Sequence, residues 1–254
     1  MPTLDSAGVS INYVVEGSGP PVVLVHGFAS SLKGNWRGTG VIDALVASGR
    51  KVVALDCRGH GESAKPHDPE AYGGTKMPDD VIAIMDRLGI DRGDLMGYSM
   101  GGMIAAVLLT LRPERFRRVI LAGVGDALVT GGGGRERNES IARALEAGGR
   151  GEAESATARA FRAFAEQNGN DLTALAAIQR SSRGGFDRRK LGETACPVMV
   201  LIGEGDTLVG PADALAAAIP GAKLVKVPGD HITAVGQAAF RRAVLDFFGD
   251  GSGE

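Results

Sequence analysis

A serine flanked by glycines two residues to either side, Gly97-Tyr98-Ser99-Met100-Gly101, holds the most chemistry in this sequence. It follows the short apolar run Asp94-Leu95-Met96 and precedes an apolar stretch with helical spacing, Gly102 to Leu111. A sharp strand-to-helix turn there forces unusual dihedrals on Ser99, and only glycine at the two flanking positions avoids steric collision. Such a turn lifts the hydroxyl to the carboxyl edge of a sheet. It also aims the first N–H groups of the helix, and the positive end of its dipole, at any oxyanion formed there. A hydroxyl attacks well only when a base takes its proton, and the base in turn needs a carboxylate to hold its tautomer and steady the imidazolium. The motif also arises by chance in a chain with 39 glycines. The competing reading is a nucleotide-binding glycine loop. It fails because Gly-x-Gly-x-x-Gly is absent and such loops follow the first strand of a domain, not one near its middle.

The other parts are sought beyond Ser99, in the order nucleophile, acid, histidine. His231 is the only histidine after Ser99, and it follows the run Leu224 to Val227 through Pro228-Gly229-Asp230. Asp206, in Gly203-Glu204-Gly205-Asp206, lies just past the run Val198 to Ile202. Its rival is Asp126, which follows Val119 to Leu121 through Gly123-Val124-Gly125. Asp206 has the better context: it ends a tight glycine-flanked loop with no other evident task, whereas Asp126 can serve as a helix or turn cap. Glu204 and Asp230 read as solvated loop carboxylates. An oxyanion needs the amide after the nucleophile, Met100, and a second from a loop after an earlier strand. His26-Gly27-Phe28, after Val22 to Val25, supplies it through the Phe28 amide, with His26 as a structural anchor. Phe28 and Tyr98 are the expected substrate contacts.

These residues need a scaffold, and the sequence describes one. Val22 to Val25, Val52 to Leu55, Asp94 to Gly97, Val119 to Leu121, Val198 to Ile202 and Leu224 to Val227 are short, mostly unalternated apolar runs that suit strands buried on both faces of a parallel sheet. Val9 to Val15 alternates and ends at Gly17-Ser18-Gly19-Pro20, as an antiparallel strand of an N-terminal hairpin or meander does. Helical patterns separate the runs at Val41 to Ser48, Met77 to Leu88, Met100 to Leu111, Pro211 to Ala218 and Thr233 to Phe248. The alternation predicts an α/β fold with a mostly parallel central sheet flanked by helices.

Residues 126–193 break the rhythm. The glycine run Gly131 to Gly134 opens onto helical patterns at Glu139 to Ala147, Ala153 to Gln167 and Asp171 to Gln179, with no convincing strand. A small helical cap inserted between core segments 1–125 and 194–254 is the expectation, since long inserts in compact domains are usually functional lids. A pair of longer crossover helices with a linker is the alternative.

Composition narrows the partners. With 254 residues, 44% hydrophobic and 23% charged, the chain can bury one large core. A net charge of -2 gives no electrostatic reason to expect nucleic acid or an anionic membrane. No apolar run approaches a membrane span, and the N-terminus shows no secretory signal. Cys57 and Cys196 are too few for a disulfide framework and read as reduced, buried thiols, so the cytoplasm is the expected location. His26, His60, His67 and His231 show no metal-ligand spacing, and neither a metal nor a cofactor is expected. A small-molecule ester is the expected substrate.

With these parts in place, the chain from about Val9 onward resembles the α/β-hydrolase superfamily. The resemblance rests on His26-Gly27-Phe28, Gly97-Tyr98-Ser99-Met100-Gly101-Gly102, Gly203-Glu204-Gly205-Asp206 and Gly229-Asp230-His231, in order and placement. Asp56-Cys57-Arg58-Gly59-His60-Gly61-Glu62-Ser63 is similar to the family's Asp-x-Arg-Gly-x-Gly-x-Ser loop, in which Asp56 and Arg58 would fix a turn and His60 need not be catalytic. The resemblance implies a serine hydrolase with a triad of Ser99, Asp206 and His231. A serine at the nucleophile position disfavours the dehalogenase and epoxide-hydrolase branches, which use an aspartate there. Carboxylesterases, lipases, lactonases, carbon–carbon bond hydrolases, perhydrolases and hydrolase-like ligand receptors remain. A short cap with few bulky aromatics favours a carboxylesterase-like enzyme acting on small to medium acyl chains.

Overall fold

Runs such as Val22-Val23-Leu24-Val25 carry no polar face, so the strands they form must be covered on both sides. The computed structural model, which describes residues 2–131, 134–149 and 155–249, meets that demand with one eight-stranded sheet. The strands are β1 (Thr3–Ser6), β2 (Val9–Glu16), β3 (Pro21–Val25), β4 (Lys51–Leu55), β5 (Gly93–Tyr98), β6 (Phe116–Ala122), β7 (Val198–Gly203) and β8 (Lys223–Val227). Their spatial order is β1-β2-β4-β3-β5-β6-β7-β8. The first two form an antiparallel hairpin that joins β4 antiparallel, and every later pairing is parallel. This is the mostly parallel central sheet flanked by helices that the sequence predicts.

Side chains alternate through this sheet with period two and feed two separate cores. Val23, Val53, Leu95, Val119 and Val200 point into one, which is completed by α2 (Lys76–Arg87) and α3 (Met100–Leu111). Val22, Val52, Met96, Ile120 and Leu201 point into the other, against α1 (Val41–Ala47) and α9 (Ala238–Phe248). The predicted helix from Thr233 is interrupted: a tight turn at Ala234–Gly236 is followed by an extended Gln237, and α9 begins only after it. β1 had no strand assignment in the sequence because only Ser6 among its four residues is buried.

Between β6 and β7 the described residues form α4 (Ala127–Thr130), α5 (Gly134–Glu146), α6 (Ala156–Gln167) and α7 (Leu172–Arg180), with no strand among them. The anticipated glycine run and the start of the second helical pattern lie partly outside the described residues, at 132–133 and 150–154. α5 packs on both α6 and α7. Arg162 of α6 is buried and donates to the carbonyls of Ala144 and Ala147, each at 2.6 Å, which satisfies the otherwise orphaned acceptors at the end of α5. The remaining helix, α8 (Asp213–Ala217), follows β7. No helix among the described residues is long and apolar enough to cross a membrane.

Candidate active site

Ser99 stands where β5 gives way to α3, with φ 55° and ψ −113°. A non-glycine residue in so sparsely populated a region costs about 1–3 kcal/mol and persists only where its surroundings impose it. Here they do. A Cβ on Gly97 would lie 1.9 Å from the Gly101 carbonyl oxygen, and one on Gly101 would lie 2.0 Å from that of Val25. The chain therefore turns more tightly than any side chain would permit, and the Ser99 amide is pinned to Ala122 O at 2.8 Å.

The loops after β7 and β8 are tied to one another. Gly205 N–H donates to Gly229 O at 2.9 Å and Glu204 N–H to Val227 O at 2.8 Å, which holds Asp206 and His231 side by side. His231 Nε2 lies 2.8 Å from Ser99 Oγ, and its Nδ1 lies 2.7 Å from Asp206 Oδ2. An ionised carboxylate only accepts, so Nδ1 carries the proton toward Asp206 and leaves Nε2 free to accept from the serine hydroxyl. The other oxygen of Asp206 accepts the amides of Leu208 (3.1 Å) and Val209 (3.3 Å). Asp206 and His231 are both buried.

Asp126, the rival acid, is engaged elsewhere: its Oδ1 accepts the Leu215 amide in the first turn of α8 at 2.8 Å. Asp230 is exposed and caps its own loop, accepting from the Thr233 hydroxyl and from the Thr233 and Ile232 amides. Those bonds, the hydroxyl's first, hold its carboxyl below the usual range. Tyr98, expected as a substrate contact, lines the site but commits its hydroxyl to His231 O at 2.7 Å, supporting the histidine loop from beneath.

Phe28 sits on a loop bonded at nearly every neighbour. Gly27 N–H donates to Asn35 Oδ1 (2.9 Å), Ala29 N–H to His60 Nε2 (3.1 Å) and Leu32 N–H to Asp56 Oδ1 (2.8 Å). Among the described residues, the Phe28 and Met100 amides find no acceptor. His26 is fully buried; its Nε2 accepts from Cys57 N–H at 2.9 Å and its Nδ1 donates to Gly27 O at 2.7 Å. Burial lowers its pKa, and burial next to His26 lowers that of His60 still further, so both are neutral anchors. Asp56 also accepts from Asn12 Nδ2 (2.8 Å) and Glu62 N–H (3.0 Å), while Arg58 pairs with buried Asp80 at 2.6 Å. Asn35 and His60 hold this loop, and the sequence assigned neither a role: each acts on backbone distant in sequence, a signal that spacing does not carry.

Ser99 opens onto space on two sides. A cavity of about 280 Å³, lined by Met100, Val124, Ile141 and Leu208, is also bordered by residues of α5, α6 and α7. A second of about 420 Å³ lies beside His231 and Asn35. Phe28 and Phe161 of α6, with ring centroids 5.7 Å apart, line both. Cys57 and Cys196 are free and buried, and burial pushes both thiols up. No group of three or more His, Cys, Asp or Glu among the described residues is placed to hold a metal.

Comparison with known proteins agrees with this fold. Residues 20–131 match the family model for the alpha/beta hydrolase fold. A hydrolase from Pseudomonas aeruginosa PA01 superposes with a TM-score of 0.78 at 28% identity, covering 98% of each chain. The chain belongs to the α/β-hydrolase superfamily. This α/β hydrolase is also similar to the enol-lactonase from Burkholderia xenovorans LB400, with a TM-score of 0.74 and 26% identity over 97% of this chain and 99% of that one. It is 36% identical over 112 residues to bifunctional epoxide hydrolase 2 of Sus scrofa, a match covering 44% of this chain and 20% of that protein. The matched stretches span less than half the length of the curated relatives.

Proposed function

We propose that this α/β hydrolase cleaves carboxylic esters of small to medium acyl chain through a Ser99–His231–Asp206 acyl-enzyme mechanism. The observation that carries the reading is the unbroken hydrogen-bond chain from Ser99 Oγ through both nitrogens of His231 to Asp206, at 2.8 and 2.7 Å. His231 Nε2 takes the serine proton as Oγ attacks the ester carbonyl. The amides of Phe28 and Met100 donate to the oxyanion, and His231 then returns its proton to the departing alkoxide. Water, deprotonated by the same histidine, releases the acid and restores Ser99. The 280 Å³ cavity lies near the low end of small-ligand pockets, about 300–1,000 Å³, which favours modest acyl groups. Ser99 at the nucleophile position weighs against epoxide opening, despite the likeness to an epoxide hydrolase.

The whole-chain likeness to an enol-lactonase favours a second reading, hydrolysis of a cyclic ester by the same residues. A carbon–carbon bond hydrolase would use the same triad on a different electrophile. An organophosphonate labels an activated serine once, so the native protein should gain one adduct on the peptide carrying Ser99, and Ser99→Ala should lose both labelling and turnover. Absence of labelling in the native protein would overturn the enzyme reading. A panel of p-nitrophenyl esters, a lactone and a vinylogous diketone then separates the three substrates.

A further inference from the structure

Three polar side chains face the 280 Å³ cavity without a partner among the described residues: Asn138 of α5, Gln179 of α7 and Arg183 just beyond it. Gln179 is only 8% exposed, and its amide is not sealed in the core but stays accessible on the cavity side, where a ligand can reach it. Arg183 is more unusual. Arg162 pairs with Glu166, Arg180 with Glu139 and Glu146, and Arg189 with Asp187. Arg183, like Arg137 beside it, has no such carboxylate among the described residues. Its position is nonetheless fixed, because Gly74 N–H donates to Ser182 O (2.9 Å) and Gly184 N–H to Gly74 O (3.0 Å), pinning the backbone on either side of it to the core.

The electrostatics of this space are one-sided. Among the described residues, Arg137 and Arg183 are the only charged ones lining the cavity, so two cations and no carboxylate share it with Ser99. An adjoining crevice of about 750 Å³ also reaches Arg183, Gln179 and Asn138; its one carboxylate, Glu139, is already bound by Arg180 at 3.2 Å. Burial, and then the charge of Arg137, push the Arg183 guanidinium below the usual arginine range, as expected of a cation awaiting a counter-charge. A planar guanidinium offers two parallel donors that match a carboxylate.

We propose that the substrate of this α/β hydrolase carries a carboxylate in addition to the ester it loses, and that Arg183 binds that carboxylate, with Gln179 and Asn138 donating to it from the neighbouring helices. The proposal rests on the reading of Ser99 as an ester-cleaving nucleophile, and it names the substrate class of that site.

Monomethyl adipate, an anion at pH 7.5, and neutral dimethyl adipate form the test pair, followed by methanol release. The native enzyme should show a higher kcat/KM for the monoester. Arg183→Ala should lower that value by roughly 10- to 100-fold, the worth of a hydrogen bond to a charged group, while the diester loses no more than about threefold. Arg183→Lys should recover part of the loss. A native preference for the diester, or an equal loss on both substrates in Arg183→Ala, would overturn the proposal. Calorimetric titration of Ser99→Ala with the same two esters separates it from the parent reading. If neither ester is hydrolysed but the monoester binds more tightly and loses that advantage in the Ser99→Ala/Arg183→Ala double variant, the ester-cleaving reading falls and the anion site stands. If the diester is hydrolysed and the monoester binds no better, the anion site falls alone; if there is neither turnover nor selective binding, both fall.

Discussion

Asp206→Asn tests the proposed triad most sharply, because the structure dictates how an amide would sit there. One oxygen of Asp206 accepts from Leu208 and Val209 N–H, and the other faces His231 Nδ1 at 2.7 Å. An asparagine that keeps its oxygen on the two amides turns its NH₂ toward Nδ1. That forces the proton onto Nε2, where the ring can no longer accept from Ser99. A wrong-tautomer change of this kind costs roughly 10⁴ in kcat, or about 5.4 kcal/mol. Flipping the amide would restore the tautomer but set a donor against two donors, leaving the Leu208 and Val209 N–H groups without an acceptor at about 1–3 kcal/mol each. Even at the low end this leaves a loss of at least about 30-fold, so the expected kcat lies between roughly 30-fold and 10⁴-fold below native. Release of p-nitrophenol from the butyrate ester, on variants of matched melting temperature, reads it. Asp126→Asn is the control, since its amide oxygen can still accept from Leu215 N–H, and its kcat should stay within about threefold. An Asp206→Asn enzyme within tenfold of native, or an Asp126→Asn enzyme crippled instead, would refute the assignment of the acid.

Acyl preference among p-nitrophenyl esters should be graded, with C2 to C8 preferred over C16, because each methylene in an apolar pocket is worth only about 1–3 kcal/mol; a maximum at long chains would mean the cavity opens into a lipid groove. Gly101→Ala sets a Cβ 2.0 Å from Val25 O and should abolish turnover or folding, whereas Gly192→Ala meets nothing within 4 Å and should do neither, as melting curves will show. The buried, neutral His26 and His60 have lowered pKa values, so only the unfolded chain takes up their protons as pH falls below about 6.5. Stability should therefore be flat between about pH 7 and 8 and fall by up to about 2.7 kcal/mol per pH unit between pH 6.5 and 5, measured by urea midpoints; no slope in that lower window would show that the two histidines are protonated in the fold.

Much of the fold was legible because two-sided burial leaves a strong mark. The run Val198 to Ile202 has no polar face, and it forms β7, held between two parallel neighbours. The edge of the sheet left a weaker mark. Thr3–Ser6 buries one residue, and nothing in its composition separates it from a loop. Glycine spacing pointed to Ser99, and elimination pointed to His231, because the sequence offers no other histidine beyond the nucleophile. Choosing between Asp206 and Asp126 was harder, since both follow sheet strands. Sequence context favoured Asp206, but only the fold shows that Asp126 is committed to another contact, the Leu215 amide of α8. Arg183 was invisible for a different reason: an arginine near two glycines reads as a solvated loop cation, and its lack of a partner is a property of three-dimensional neighbours alone.

The same accounting of partners bears on the oxyanion site. The loop from Gly27 to Leu32 is buried, and buried amides are costly when left without acceptors. Gly27, Ala29, Ser30 and Leu32 each place their N–H on a definite acceptor: Asn35, His60, Gly27 O and Asp56. Phe28 stands among them with its N–H unmatched, and Met100 is unmatched at the head of α3. Two free donors beside a strained serine are expensive in the resting fold. In the proposed mechanism they become favourable when the ester oxygen acquires charge, since donors already locked in place need no reorganisation at that moment. In that mechanism the anchors Asn35, His60 and Asp56 act without touching the substrate: by taking the amides of Gly27, Ala29 and Leu32, they leave Phe28 N–H fixed and available.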